Sequence, residues 1–331
     1  LFPVLALSAC LCLCAKVEKH ERHFYGLDTE IDLTVYAASS RCEAVMDSVQ
    51  ALIARLDSRL SISNAESEIY RINHRADSLV RLSPVIASIL SVCRKEHAAS
   101  RGLFDVTVEP LKLLYGLESH QKENHVPSQR EIDGALSLVG FGRIRFVSDS
   151  VCVMPVGMHL DFGGIAKGYV LSEVRRLLLG KGYSNFLINT GGDMIAGGKK
   201  PSGQKWIIGV QHPRKTDALI ATMYTEGGCV FTSGDYERCF VVNGKRYHHL
   251  FDPSTGIPGS HNMSATVVGD DPLAVDAAVK TAFLMPSDKA LSYLSSRGML
   301  GLLIDSAGIG WASQGLRQNL KPDSSFVVNY R

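Results

Sequence analysis

Residues 239–258 constrain the fold more than any other stretch of this chain. Cys239-Phe240-Val241-Val242 reads as a strand, and Asn243-Gly244 is a two-residue hairpin turn signal. The returning strand is expected through Arg246, Tyr247, His248, His249 and Leu250. Phe251-Asp252-Pro253-Ser254-Thr255-Gly256-Ile257-Pro258 then closes a turn locked by proline and glycine. Successive side chains on a strand face opposite sides, so His248 and His249 are expected to point in different directions. Proline biases the residue before it to extended geometry, which keeps Asp252 out of any helix. Two histidines and an aspartate so close together fit either a reactive site or a hairpin that ends in a polar turn.

A second stretch joins a strand-like Met158-His159-Leu160 to a helix. Between them lies Asp161-Phe162-Gly163-Gly164-Ile165-Ala166-Lys167-Gly168. Val170, Val174, Leu177 and Leu178 then mark one apolar helical face up to Leu179. Glycines at such a junction let the backbone approach a ligand closely, and the helix N-terminus offers free N–H groups to an anion. Lys167 sits where the helix dipole disfavours a cation by about 0.3–1 kcal/mol, and an anionic ligand would reverse that sign. The alternative is a glycine-rich packing turn with a solvated lysine, since the pattern matches neither standard phosphate-binding loop. Two further stretches stand out. Asn189-Thr190-Gly191-Gly192-Asp193 follows the buried-looking strand Phe186-Leu187-Ile188, and the other is Gly102-Leu103-Phe104-Asp105-Val106-Thr107-Val108-Glu109-Pro110-Leu111.

With 331 residues, 45% of them hydrophobic, the chain has room for one large domain or two. A net charge of +2 without a long basic run gives no support to nucleic-acid binding. Leu1 to Leu13 is apolar but too short to span a bilayer, and Leu7-Ser8-Ala9-Cys10 looks like a bacterial lipobox with Cys10 as the lipidated residue. With no initiator Met or basic n-region, the sequence is expected to begin inside a signal peptide. A plain secretory signal that happens to contain cysteines is the other reading. Lipidation would place the protein in the bacterial periplasm, anchored to the inner membrane. Residues 1–22 are accordingly expected to be leader and stem, and 23–331 the body. Cys42, Cys93, Cys152, Cys229 and Cys239 lie far apart without metal-binding spacing; their odd number argues against a complete disulfide framework, and most are expected to be buried small hydrophobes.

The body alternates helices and strands without a strict βαβ rhythm, so the expected class is α+β with mixed sheets and packed helices. Helices are expected at residues 44–60, 84–97 (Ser83 as N-cap), 128–139 (with a Ser128–Glu131 capping box), 166–179, 271–285 and 287–297. Residues 118–127 read as a polar surface loop, and the tail from Gln314 is weakly patterned.

Taken in order, the motifs resemble the ApbE-type FAD:protein FMN transferases. The matching segments are Thr29-Glu30-Ile31, Ser67-Glu68-Ile69 with Ile72-Asn73, Phe104 to Leu111, Val139-Gly140-Phe141 and Asp161 to Gly168. They continue with Gly191-Gly192-Asp193, Thr232-Ser233-Gly234-Asp235-Tyr236 and His249 to Pro258, so that the likeness spans residues 23–315. The resemblance implies a single domain of two lobes with FAD between them. It also implies Mg²⁺-dependent transfer of FMN from FAD to a threonine hydroxyl of a target protein, with release of AMP. The expected acceptors are subunits of membrane redox complexes. His249 would be the base, while Asp161 and Lys167 would contact FAD. Leu27, Leu103, Phe104, Asp105 and Phe251 would line its pocket. The Gly164 carbonyl and Thr281 would ligate Mg²⁺.

Three departures from the pattern bear on function. The family's metal-binding Asp lies four residues before the helix threonine, and here that position is Ala277. Asp276 is next to it but about 140° around the helix from Thr281. Either Asp276 takes over as ligand, or it forms an exposed salt bridge with Lys280 and metal binding is weakened. Ser63 replaces an aromatic residue that packs on the nucleotide. Leu27-Asp28-Thr29 stands where the family has Met-Gly-Thr. These departures keep two alternatives open: an Mg²⁺-dependent FAD pyrophosphatase giving FMN and AMP, and an FAD-binding lipoprotein without catalysis.

Overall fold

The structure, a computed structural model, describes residues 17–38, 42–118 and 123–331. Cys10 and the rest of the lipobox lie outside the described residues, as does part of the expected 118–127 loop. Among the described residues eight α-helices follow one another: α1 (Cys42–Leu60), α2 (Glu68–Asn73), α3 (Pro84–Ala99), α4 (Glu109–Tyr115), α5 (Gln129–Leu136), α6 (Ala166–Gly180), α7 (Pro272–Leu284) and α8 (Ser287–Ser295).

The frame is a nine-stranded sheet. Its order is Val17–Gly26, Thr29–Ala38, Phe186–Thr190, Asp193–Gly197, Gly228–Gly234, Asn262–Gly269, Leu300–Asp305, Gly310–Ala312 and Val328–Tyr330. Its pairings are antiparallel apart from the last, which is parallel. Period-two alternation sorts its central residues between two cores. Cys229, Phe231, Ala265, Val267 and Leu303 face the helices, in a core shared with α1, α3, α6, α7 and α8. Val230, Leu302, Ile304 and Ala312 face the other way and pack on the three-stranded sheet of Trp206–His212, Lys215–Thr225 and Leu320–Pro322. A third cluster around Leu111, Tyr115, Ile132 and Phe251 joins α4 and α5 to the turn after the two histidines. The result is the mixed-sheet α+β architecture expected from the sequence.

Local chemistry explains most element boundaries. The Ser83 hydroxyl accepts from Ile86 N as the N-cap of α3, and the Ser128–Glu131 capping box opens α5. Asn243 (φ 50°) and Gly244 (φ 76°) give the hairpin turn its two left-handed residues. The five cysteines outside the leader are free, four of them buried.

Several expectations need correction. The expected stem boundary at residue 22 falls inside the edge strand Val17–Gly26, which pairs along its length with Thr29–Ala38. Its mixed polar sequence hides it, because an edge strand with one partner needs few apolar residues. Residues 158–160 form no strand. The Asn73 side chain takes a strand's place, accepting from Leu160 N at 2.8 Å and donating to Leu160 O at 2.9 Å. The returning strand after Gly244 stops at His248, and His249 lies in a bend. The tail supplies two paired strands, Leu320–Pro322 and Val328–Tyr330.

Candidate active site

A cavity of about 300 Å³ opens where several loops and element ends meet. Its rim comprises the hairpin turn Leu27-Asp28-Thr29 and the end of α1 through Ser63. The floor is the Asp161–Gly163 loop with the first turn of α6, and Gly191, Asp193 and the Thr232–Gly234 strand end form the next wall. Glu237, Arg238, His249, Lys112, Glu118 and Lys280 complete it. Gly191 (φ 62°) is required here, since a Cβ would lie 2.3 Å from Thr29 Oγ1. That close approach seats the second glycine turn against the first hairpin turn. Leu27 (φ 55°) and Asp28 (φ 57°) both adopt left-handed geometry, and Leu27 N donates to Asp57 Oδ2 at 3.0 Å, tying the turn to α1.

The cleft is lined with charge. The Lys112 ammonium is buried, pairs with Asp161 and lies 3.6 Å from Glu118 Oε1. Burial works against its charge, but the two carboxylates outweigh burial and hold its pKa above the ordinary lysine value. Burial likewise opposes ionisation of Asp161, and Lys112 together with the Gly163 N–H (2.8 Å) overcomes it, leaving the carboxyl below its ordinary value. Lys167 pairs with the buried Asp193. Burial opposes its charge too, and Asp193 and Asp276 raise it nonetheless.

His249 is different in kind. Burial first, then Lys112, His248 and Arg238, push its imidazole well below the ordinary histidine range, so the ring is neutral at pH 7. Its Nδ1 is buried with no hydrogen-bond partner. A neutral imidazole in a residue that lines the cleft can accept a proton, although burial makes it a weaker base than a free histidine. His248, by contrast, is buried and satisfied, with Nε2 2.9 Å from the Gly259 carbonyl oxygen. The two rings therefore have different surroundings, although His249 lies in the bend beyond the strand and not in alternation with His248 along it.

Helices α6 and α7 meet at the floor. A Cβ on Gly168 would lie 2.5 Å from Pro272 O and 2.6 Å from Asp276 Cβ, so only glycine permits this crossing. Gly168 N donates to Asp276 Oδ2 at 2.7 Å, and Asp276 Oδ1 pairs with the Lys280 ammonium. Asp276 is fully buried, which corrects the expectation of an exposed salt bridge. Thr281 points elsewhere: its Oγ1 lies 3.0 Å from Glu96 Oε1 of α3, in a network with Tyr293 and Arg297. Two of the donors expected for Mg²⁺, Asp276 and Thr281, are therefore engaged within the protein. Both Asp276 oxygens are taken, and the Thr281 hydroxyl serves another interface. Among the described residues no three His, Cys, Asp or Glu side chains gather in a metal-binding group. The arrangement does not fit the expected metal set.

Compared with known proteins, the chain matches the ApbE family over residues 27–303. It belongs to the ApbE family. A relative named FAD:protein FMN transferase from Klebsiella pneumoniae (strain 342) is 32% identical over 263 residues, spanning 78% of this chain and 81% of the relative. Another of that name, from Escherichia coli (strain K12), is 27% identical over 278 residues, spanning 82% and 79%. The crystal structure of the ApbE protein from Thermotoga maritima superposes with a TM-score of 0.85 at 29% identity, covering 91% of this chain and 99% of that one.

Within this ApbE-family cleft, Leu27, Ser63, Asp161, Lys167 and His249 line the cavity. Leu103, Phe104, Asp105 and Phe251 do not, although the resemblance placed them against FAD. Phe104 is core, and Phe251 packs on Tyr115 at a ring separation of 5.0 Å. Asp105 is a turn brace that accepts from Thr107 N and Phe141 N, each at 2.8 Å. Gly164 stands next to the lining, near Lys280 and Phe104. Sequence reading missed Lys112, Glu118, Glu237 and Arg238. Lys112 had one visible signal, a lone cation among leucines in Pro110-Leu111-Lys112-Leu113-Leu114, since an unpaired lysine is almost never buried. Glu118, expected on a surface loop, is buried.

Proposed function

We propose that this chain transfers FMN from FAD to a hydroxyl side chain, a threonine, of a target protein and releases AMP. The observation that carries the reading is His249, a neutral imidazole lining a cleft that also holds the paired ammonium groups of Lys112 and Lys167. Support comes also from relatives named FAD:protein FMN transferase.

In this reading His249 accepts the proton of the acceptor hydroxyl. The freed oxygen attacks the phosphorus of the FMN half of FAD. The bond from that phosphorus to the bridging oxygen breaks, and AMP leaves with the electron pair. Lys112 and Lys167 face the charge that develops on the phosphate oxygens, in a partly desolvated cleft where such contacts count most. No step is assigned to Mg²⁺, because the residues expected to hold it are otherwise engaged.

One observation favours water as a second acceptor. Ser63 brings no aromatic surface to the rim, and its hydroxyl lies 3.1 Å from Ser61 Oγ. A nucleotide less firmly covered there is more open to hydrolysis, giving FMN and AMP. The wider setting belongs to the same proposal: membrane redox subunits as acceptors, and the periplasmic face of the inner membrane, reached through a lipid on Cys10. It is supported by the Leu7–Cys10 lipobox.

The test is incubation of the purified chain with FAD and a threonine-bearing acceptor, followed by chromatography and mass spectrometry. AMP together with an FMN mass gain on the acceptor establishes transfer. AMP and FMN without acceptor establish hydrolysis, and unchanged FAD overturns both.

A further inference from the structure

We propose that the Lys280 ammonium is the resident cation of this cleft, occupying the carboxylate that a divalent metal would use, so that FAD is handled without Mg²⁺. The proposal rests on the FAD reading above and deepens it.

Three observations carry it. First, Lys280 is an oddity in α7, where Val275, Ala277, Ala278, Val279, Ala282 and Phe283 are all fully buried. Its side chain, largely buried, emerges from this apolar helix into the cleft. Second, its ammonium lies on Asp276, one helical turn before it, whose other oxygen accepts from Gly168 N. Each oxygen of that carboxylate already holds a donor, and the ammonium stands where a metal would approach. Third, the other residue expected to bind metal from this helix, Thr281, turns away to Glu96.

The charge logic follows. A buried carboxylate behind an anion-binding cleft would repel phosphate unless a cation stands between them. An ammonium has three donors and no acceptor, and Asp276 uses one. The others remain for phosphate oxygens. Lys167 on Asp193 repeats the same device on the neighbouring wall, a cation held by a buried carboxylate. A lysine differs from a metal in that it cannot be chelated, and its position is fixed by the helix.

The experiment uses the full chain, treated with chelator, and two readouts: FAD affinity by flavin fluorescence, and direct Mg²⁺ uptake by calorimetry without FAD. The wild type is expected to bind FAD equally with chelator or with Mg²⁺, and to take up no Mg²⁺ at micromolar concentrations. Lys280→Met is expected to lose FAD affinity by about tenfold or more without metal. It should also gain Mg²⁺ uptake, because Asp276 is released. Lys280→Arg, which keeps the charge, should retain metal-independent binding and guards against a folding defect in the methionine variant. Wild-type FAD binding that collapses on chelation, or a Lys280→Met variant that binds FAD like wild type, overturns the proposal. Failure of the transferase reading is seen separately, as intact FAD binding with no AMP formed.

Discussion

Gly168 and Asp276 join helices α6 and α7 by a hydrogen bond, the Gly168 N–H donating to Asp276 Oδ2 at 2.7 Å. The same contact gives the α6 N-terminus an anion from within the protein. In an ordinary helix, Gly→Ala adds about 1 kcal/mol of stability. Here the sign reverses, because a Cβ would meet Pro272 O at 2.5 Å and Asp276 Cβ at 2.6 Å, and both are rigidly placed. Gly168→Ala is expected to cost about 1–3 kcal/mol. Urea unfolding monitored by circular dichroism checks this, and a variant as stable as wild type would mean the helices can separate freely.

His249→Ala is expected to lower transfer by about 10²–10⁴-fold while FAD binding persists. The pH behaviour follows from its depressed pKa. Because the ring stays neutral, the acid limb of the rate profile should lie below about pH 6.5, the ordinary histidine value. Stability follows the same sign. His248 and His249 are both held below that value, chiefly by burial, so the unfolded chain binds more protons as pH falls. Their contribution is complete above the unfolded value and is lost as pH drops towards the folded values. Urea midpoints should therefore be lower at pH 5.5 than at pH 7.5, and replacing both rings with glutamine should flatten that difference.

Lys112→Met would strip the buried Asp161 of its cation, at an expected cost of about 3–5 kcal/mol. Adding Asp161→Asn should recover part of that loss, since the two act as one unit. The kinetic signature is separate. Lys112 is among the charges that depress His249, so its removal should move the acid limb of the rate profile to higher pH. An unmoved limb would show that Lys112 and His249 are electrostatically independent.

The fold class was readable because apolar periodicity and caps are local: Ser83, Ser128 and Asn243-Gly244 each mark their own boundary. The edge strand Val17–Gly26 was hidden because its partner, not its composition, makes it a strand. The site divides the same way. His249, Lys167 and Asp161 stand in motifs and were visible. Lys112 and Glu118 reach the cleft only through the packing of α4, which no spacing in the sequence encodes. Asp276 looked exposed because an i,i+4 acid–lysine pair normally decorates a solvated face, whereas this one faces α6.

Asp28 offers a test of stored strain. It holds φ 57° where the resemblance has glycine, and left-handed geometry costs a non-glycine residue about 1–2 kcal/mol. Asp28→Gly relieves that strain but loosens the unfolded chain by about 0.5–1 kcal/mol. Its ion pair with Arg238, at 3.5 Å and exposed, contributes little. The net expectation is a small rise in melting temperature, and a fall would show that Asp28 stabilises the turn beyond its backbone.

Thr281 separates the structural reading of α7 from the metal reading. Its hydroxyl lies 3.0 Å from Glu96 Oε1, which also receives the Tyr293 hydroxyl, while Glu96 Oε2 lies 2.7 Å from Arg297 Nη1. Glu96 is fully buried, and burial raises its pKa in spite of Arg297 and the Thr281 hydrogen bond. Thr281→Val keeps the shape and removes one donor to a buried carboxylate, so it should cost about 1.5–3 kcal/mol. It should push Glu96 further up as well. A carboxyl whose charge the fold disfavours loses stability as pH rises through its unfolded value, so the deficit of Thr281→Val should be larger at pH 7.5 than at pH 4. If Thr281 instead served a metal, its loss would weaken Mg²⁺ uptake and leave the stability of the α3–α7 interface unchanged. Unfolding of wild type and variant at the two pH values, each with and without Mg²⁺, decides between these outcomes.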